Sequence, residues 1–388
     1  MDYFLTEEQK MIQDLARQVA EEKVLPLRAE LDENEEFSRE IIKHFADADL
    51  LGLGIPEEYG GMGMGVFEQI LATEQVARVC CGTAVTFGSG GLGAMPIIYY
   101  GSKEQKQKYL PDVASGKKLT AFALTESTAG SDASGIQTTA VRDGDEYVLN
   151  GTKQWITNAA EAEIYCVVAI TDRSKGPRGS SIFVVEKGDS GFEFGKKEKK
   201  MGIRTSTTGE LIFNDCRIPA DRLISREGMG FIIAMKALDL SRPGVGILGV
   251  GLSQGAMEVA IEFAQTRIQF GRPIIAQQAV QHILADMATN IEAGRALIYA
   301  ITKYIDSGAK NISKVSAMAK LFPTDMAMQI TTNAVQILGG HGYMREYPVE
   351  KMMRDSKILQ IFEGTNQIQR NVIGQELNKQ FSSRKNKG

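Results

Sequence analysis

The stretch Ile164-Tyr165-Cys166-Val167-Val168-Ala169-Ile170 decides the fold. It is short, apolar, and rich in β-branched and aromatic side chains, which marks a buried strand rather than a helix turn. The segments around it share its character: Leu119-Thr120-Ala121-Phe122-Ala123-Leu124-Thr125, Tyr147-Val148-Leu149-Asn150, Ser181-Ile182-Phe183-Val184-Val185 and Glu210-Leu211-Ile212-Phe213-Asn214. Asp143-Gly144 and Asn150-Gly151 are hairpin-type dipeptides. Residues from about 119 to 226 therefore predict a compact antiparallel sheet or small barrel.

Outward from this block the period is helical on both sides. Thr6 and Gln9 form a capping-box pattern, followed by Ile12, Leu15, Ala16 and Val19 at helical spacing. Ser38 can cap a second helix, another spans about Phe67 to Val76, and one follows Ser102. Beyond about 229, Val280, Ile283, Leu284, Met287, Ile291, Gly294, Ile298, Ile301 and Ile305 form one long stripe. A further helix starts near Ser313, with Pro323 predicting a kink. The expected class is α+β multidomain: an all-α domain over 1–118, an antiparallel β-barrel over 119–228 and an antiparallel helical bundle over 229–388. No βαβ unit repeats, which disfavours a doubly wound nucleotide fold.

Length and composition narrow the function. The 388 residues allow two or three domains. The net charge of −4 opposes a general grip on nucleic acid. The Lys196-Lys197-Glu198-Lys199-Lys200 run reads as a solvated turn. No uninterrupted apolar run approaches the ~20 residues of a membrane span. The acidic start MDYFLTEEQK has no leader character. Four cysteines without a Cys-x-x-Cys pair read as reduced thiols of a cytoplasmic protein. Three scattered histidines give no metal site.

Gly88-Ser89-Gly90-Gly91-Leu92-Gly93 matches the dinucleotide pattern Gly-x-Gly-x-x-Gly. The pattern needs a strand before it and a helix N-terminus after it. Here the surroundings read helical and Pro96 follows, so a Rossmann site is not expected. The glycines either let two helices pack closely or leave room where side chains would stand.

Four further segments carry polar or backbone-exposing residues that packing does not require. They are Phe122–Asp132, Gln154-Trp155-Ile156-Thr157-Asn158, Asp239-Leu240-Ser241-Arg242-Pro243, and Gln336–Tyr343 taken with Phe362-Glu363-Gly364-Thr365-Asn366-Gln367. Glu363, between an aromatic residue and a glycine, reads on its own either as a surface-loop glutamate or as a group that can reach into a cleft. A carboxylate in an apolar cleft has a raised pKa and makes a competent base near neutral pH.

In order and spacing these motifs resemble the acyl-CoA dehydrogenase family over nearly the whole chain, most closely its medium-chain and short-chain types. The resemblance implies FAD, a homotetramer built as two dimers, and electron delivery to electron-transfer flavoprotein. It implies α,β-dehydrogenation of an acyl-CoA, with Glu363 taking the α proton and flavin N5 the β hydride. The Glu363 N–H and a flavin ribityl hydroxyl would polarise the thioester carbonyl. Phe122, Leu124, Thr125 and Ser131 would border the flavin, and Ser131 would also reach the CoA pyrophosphate. Trp155 would stack near the ring, and Thr157, Thr365 and Gln367 would add contacts. Asp239 and Arg242 would hold the pantetheine and the substrate end, beside Gly364; Arg242 alone also reads as a buried ion-pair partner. Arg267, Phe270, Gln278, Gln336, Gly339 and Gly340 would hold the FAD ADP moiety of a neighbouring subunit. Gly88 and Gly91 would line the distal acyl pocket, wide enough for a branched or alicyclic group such as cyclohexane-carbonyl.

Departures from the family pattern are mild. Phe122 stands where many relatives have tyrosine, and Ala159-Ala160 replaces Gly-Gly. Ser241 stands where some relatives carry the base, and it cannot act as one. Gly82 replaces the arginine that pairs with a dicarboxylate tail. Two alternatives remain: an acyl-CoA oxidase using O2, against which the length weighs, and a non-catalytic flavin or acyl-CoA binder, which has no need of Glu363.

Overall fold

Thr6 starts the first helix, α1 (Glu7–Val19), by the reciprocal cap its sequence predicts: its Oγ accepts from the Gln9 N–H at 3.2 Å and Gln9 Oε1 accepts from the Thr6 N–H at 3.0 Å. The computed structural model describes residue 1 and residues 3–385 of the chain. Helices α2 (Arg28–Glu33), α3 (Arg39–Asp47), α4 (Val66–Val79), α5 (Cys81–Tyr100) and α6 (Lys103–Ala114) complete the N-terminal part. Ser38 and Ser102 cap α3 and α6 as expected. The α4 N-terminus is served from far along the chain, where the Asp306 carboxylate accepts from the Val66 and Phe67 N–H groups at 2.9 and 2.8 Å. That satisfies donors no local side chain reaches.

The middle of the chain supplies seven strands: β1 (Thr120–Ala123), β2 (Thr139–Asp143), β3 (Glu146–Thr157), β4 (Ile164–Ile170), β5 (Ser180–Glu186), β6 (Phe192–Lys197) and β7 (Thr208–Pro219). They form one sheet in the order β1-β4-β2-β3-β7-β6, with β5 on β4. Two features differ from the sequence reading. The sheet is mixed, because β1 and β2 both pair parallel to β4, although the remaining pairings are antiparallel. Only one of the two hairpin dipeptides turns the chain. Gly144 (φ +60°) links β2 to β3, whereas Asn150-Gly151 lies inside β3 at a register shift against β7. There a Cβ on Gly151 would stand 2.5 Å from Thr138 Oγ, so close strand approach, not a turn, requires the glycine.

Four long elements close the chain: α7 (Gly230–Thr266), α8 (Gln278–Asp306), α9 (Ser313–Leu338) and α11 (Asn366–Lys385), with α10 (Val349–Leu359) before the last. The predicted kink at Pro323 does not break α9, which runs on as one helix. Proline leaves the carbonyl four residues back without its helical donor. That carbonyl, Ala319 O, lies where a Cβ on Gly246 of α7 would come within 2.0 Å, so the two helices meet backbone to backbone. Helices α5 and α7 are long and apolar enough to cross a membrane, but more than half of each apolar window is buried inside the protein. They are apolar because the other elements pack around them.

The Ala-Ala departure has a cost that the backbone displays. After β3, Asn158 and Ala160 take φ of +63° and +64°. An L-residue there pays ~1–2 kcal/mol, partly offset because glycine is more flexible when unfolded. Ala160→Gly is expected to raise stability by about 0.5 kcal/mol. A lower urea midpoint in the variant would contradict this.

Candidate active site

A cavity of about 820 Å³ opens between the sheet, α4 and α5, the first turns of α7, and the loop joining α10 to α11. Its walls are mainly apolar. Glu363 enters it from that loop in a left-handed conformation (φ +52°), followed by Gly364 at +89°. Trp155 (φ +58°) borders the same cavity. Non-glycine residues in this region are costly and cluster at functional sites.

Burial pushes the Glu363 carboxyl pKa above the ordinary carboxylate value. The Ser241 hydrogen bond and the Arg242 and Lys320 charges oppose the shift without cancelling it. Ser241 Oγ donates to Glu363 Oε2 at 2.5 Å. The carboxylate is thus aimed from α7 and made basic by its surroundings.

Phe122, Leu124, Thr125, Ser131, Trp155, Thr157, Arg242, Gly364, Thr365, Gly88 and Gly91 line the same cavity as Glu363. The remaining residues named from sequence do not. Asp239 turns away from it, with one carboxylate oxygen 2.5 Å from Arg242 Nη1 and the other accepting from Ser313. Asp239 holds Arg242, which both pairs with it and lines the cavity. Gln367 is exposed on the first turn of α11, outside the lining. Arg267, Phe270, Gln278, Gln336, Gly339 and Gly340 are also exposed and outside it, at the ends of α7 and α9 and the start of α8. Phe270 is 94% exposed, which a lone apolar ring at φ +52° does not explain within one chain.

The floor of the cavity resolves the two readings of the glycine run. A Cβ on Gly88 would meet nothing within 4 Å, and one on Gly91 would meet only Gln69 Oε1 at 3.7 Å. Gly93, two residues on, would clash with Thr120 Oγ at 2.4 Å. The first two leave space, and the third allows α5 to pack on β1.

Three groups stand at the site in places the sequence reading did not give them. Lys153, fully buried on β3, donates to the Leu124 carbonyl at 3.0 Å and to Glu126 at 2.7 Å. Glu126 also accepts from the Gln137 and Thr138 N–H groups. Burial alone would raise its pKa, but Lys153 and these donors hold it below the ordinary value. Lys199 and Lys200, read as part of a solvated turn, line the cavity, and Lys200 Nζ donates to Ser206 O at 2.7 Å. Lys320 supports the Glu363 loop from α9. A lone lysine among apolar helix positions was the available signal for it.

The donor set fits a flat ring with polar edges. Phe122, Leu124 and Trp155 offer apolar surface. Among the described residues the Thr125 and Thr157 hydroxyls have no protein partner, so they remain available to a ligand edge. A carboxyl of raised pKa beside a slot for such a ring suits a flavin enzyme acting on carbon–hydrogen bonds.

The comparisons narrow that class. Residues 6–117, 121–216 and 228–378 match the models of the acyl-CoA dehydrogenase N-terminal, middle and C-terminal domains. The chain is 45% identical to acryloyl-CoA reductase (NADH) of Anaerotignum propionicum, over 98% of this chain and 96% of that one. It is 44% identical to cyclohex-1-ene-1-carbonyl-CoA dehydrogenase of Syntrophus aciditrophicus, over 96% and 90%. Among solved structures it resembles butyryl-CoA dehydrogenase of Megasphaera elsdenii, with a TM-score of 0.95, 43% identity, and 97% and 100% of the chains covered. It also resembles a chain solved in work on the electron-transferring flavoprotein of Acidaminococcus fermentans and flavin-based electron bifurcation, with a TM-score of 0.95, 48% identity, and 97% and 99% covered. The protein belongs to the acyl-CoA dehydrogenase family and is an FAD-dependent oxidoreductase.

Proposed function

We propose that the protein converts a short-chain or alicyclic acyl-CoA to its 2-enoyl-CoA, with Glu363 as the α-proton base. The observation that carries this is Glu363 itself: a carboxylate in an apolar cavity, its pKa raised by burial, directed by Ser241. Formation of the double bond requires loss of an α proton and a β hydride. Glu363 accepts the proton, and FAD, when bound, supplies the hydride acceptor. The Glu363 N–H can polarise the thioester carbonyl as enolate charge develops. Thr125, Thr157, Thr365 and the apolar Phe122, Leu124 and Trp155 would hold the ring. Arg242, fixed by Asp239, would shape the substrate end. Electron-transfer flavoprotein is the proposed acceptor, supported by the likeness to the chain from the A. fermentans work.

We further propose a cytoplasmic homotetramer in which Arg267, Phe270, Gln278, Gln336, Gly339 and Gly340 complete the FAD site of a neighbour. Their exposure outside the chain's own cavity supports this.

The acyl group is argued from the floor. Gly88 and Gly91 remove side-chain bulk there, and the named relatives act on butyryl-CoA and cyclohex-1-ene-1-carbonyl-CoA. A ring benefits from width that a straight chain does not need, at ~0.8 kcal/mol per buried methylene. The expected result is that anaerobic flavin bleaching and kcat/KM favour cyclohexanoyl-CoA over butyryl-, hexanoyl- and octanoyl-CoA. Gly88→Leu should cut the value for the ring substrate about tenfold or more while sparing butyryl-CoA. Straight chains winning by about tenfold in the wild type would refute the wide pocket.

A further inference from the structure

The loop that carries Glu363 holds a conformation it would not choose alone. Glu363 sits at φ +52° and Gly364 at +89°. Left-handed backbone costs an L-residue ~1–2 kcal/mol, so neighbouring groups must hold it. Two side chains do so through the loop carbonyls. Gln369 Nε2 donates to Glu363 O at 3.3 Å and Gly364 O at 2.9 Å. Lys320 Nζ donates to Gly364 O at 3.0 Å and to Asn366 Oδ1 at 2.8 Å.

Lys320 differs from every other charge near the base. It is fully buried, and both of its acceptors are neutral. Among the described residues no carboxylate lies within ion-pair distance of it. Three other charges around Glu363 are paired. On α7, Arg242 is paired with Asp239. On α9, Asp325 is paired with Arg370 of α11 and accepts from Gln360 and Asn366. On α10, Arg354 is paired with Glu350 and Asp32, and Lys357 lies on the same cavity wall. The residues of α4 and α5 that line the cavity are not titratable. Lys199 and Lys357 on the cavity lining are exposed, and Lys200 donates to Ser206 O, so Lys320 is the fully buried cation without an ion pair beside Glu363, and each feels the other.

We propose that Lys320 is a positioning residue for the base, clamping the Gly364 carbonyl so that Glu363 keeps its left-handed backbone, and that its buried charge, with Ser241 and Arg242, lowers the pH at which Glu363 becomes a competent proton acceptor. This rests on Glu363 as the base. Burial draws the Lys320 ammonium down to about 8, with the Glu363 charge opposing the shift. A cation near a carboxylate favours its ionised form. Removing the cation must move the Glu363 titration upward.

Two variants separate the clamp from the charge. Lys320→Gln keeps an N–H donor for Gly364 O without the charge, and Lys320→Met keeps neither. In both, the acid limb of the kcat/KM pH profile is expected to move up by about half a pH unit or more. Only Lys320→Met is expected to lose about tenfold in kcat at the plateau. An unmoved acid limb in folded variants overturns the proposal. If neither variant folds, the wild-type Lys320 ammonium can be titrated by NMR with ε-carbon-labelled lysine. It should titrate near 8 and fall in Glu363→Gln; an ordinary lysine value, or no response to Glu363→Gln, overturns the proposal. Full turnover in Glu363→Gln would instead show that the base is elsewhere, a separate failure.

Discussion

Glu363→Gln is expected to lose turnover by about 10²–10⁴-fold while keeping FAD and acyl-CoA bound. The amide preserves the shape of the side chain and its contact with Ser241, and deletes only the proton acceptor. The same variant should be more stable than the wild type at neutral pH. The reasoning follows from the raised pKa. Between the ordinary carboxylate value and the raised one, the folded state holds a proton that the unfolded state has released. Wild-type stability therefore falls as pH climbs through that window. Glutamine has no proton to lose. The stability gain of the variant should be absent in acid, below the ordinary value, and should grow with pH. Stopped-flow flavin bleaching and urea titrations at several pH values measure both effects. Near-wild-type turnover would move the base to another residue, and a pH-independent stability difference would contradict the buried-carboxylate account.

Lys153→Met should be the most damaging single change to the scaffold. Lys153 and Glu126 form a buried pair at 2.7 Å, and Lys153 also holds the Leu124 carbonyl. Removing one partner leaves an uncompensated charge, which costs ~3–5 kcal/mol. Because Leu124 and Thr125 line the cavity proposed to hold the flavin, FAD retention should fall with stability. Adding Glu126→Gln should recover part of the loss, since the stranded charge is then gone. A urea midpoint of Lys153→Met within about 0.5 kcal/mol of wild type would show that the pair is not a scaffold element.

The helix–sheet–helix order was legible because the hydrophobic period changes near 119 and again near 229. Strand partners were not. Nothing in Ile164–Ile170 says whether its neighbour runs parallel, since a strand buried on both faces reads alike either way. Asn150-Gly151 misled for a related reason. A glycine required by close approach to Thr138 is indistinguishable, in one dimension, from a glycine required by a turn. The cavity lining was legible through the family motifs, as with Glu363 and Trp155, which both line it. It was not legible where a residue acts through another. Both oxygens of Asp239 are engaged by Arg242 and Ser313, partners that its place in the sequence does not disclose. Lys153, Ser241 and Lys320 act on partners distant in sequence, and only the fold joins them.

Helix α5 concentrates two kinds of freedom in one turn and a half. Gly88 and Gly91 look into open space, while Gly93 is pressed against β1. Sequence drift at the first two positions would change the shape of the proposed acyl pocket without touching the joint that holds helix to sheet. Drift at the third cannot be absorbed in that way. On the proposed pocket, an engineer seeking new acyl groups has two nearby positions to vary, bounded on one side by a residue that must stay as it is.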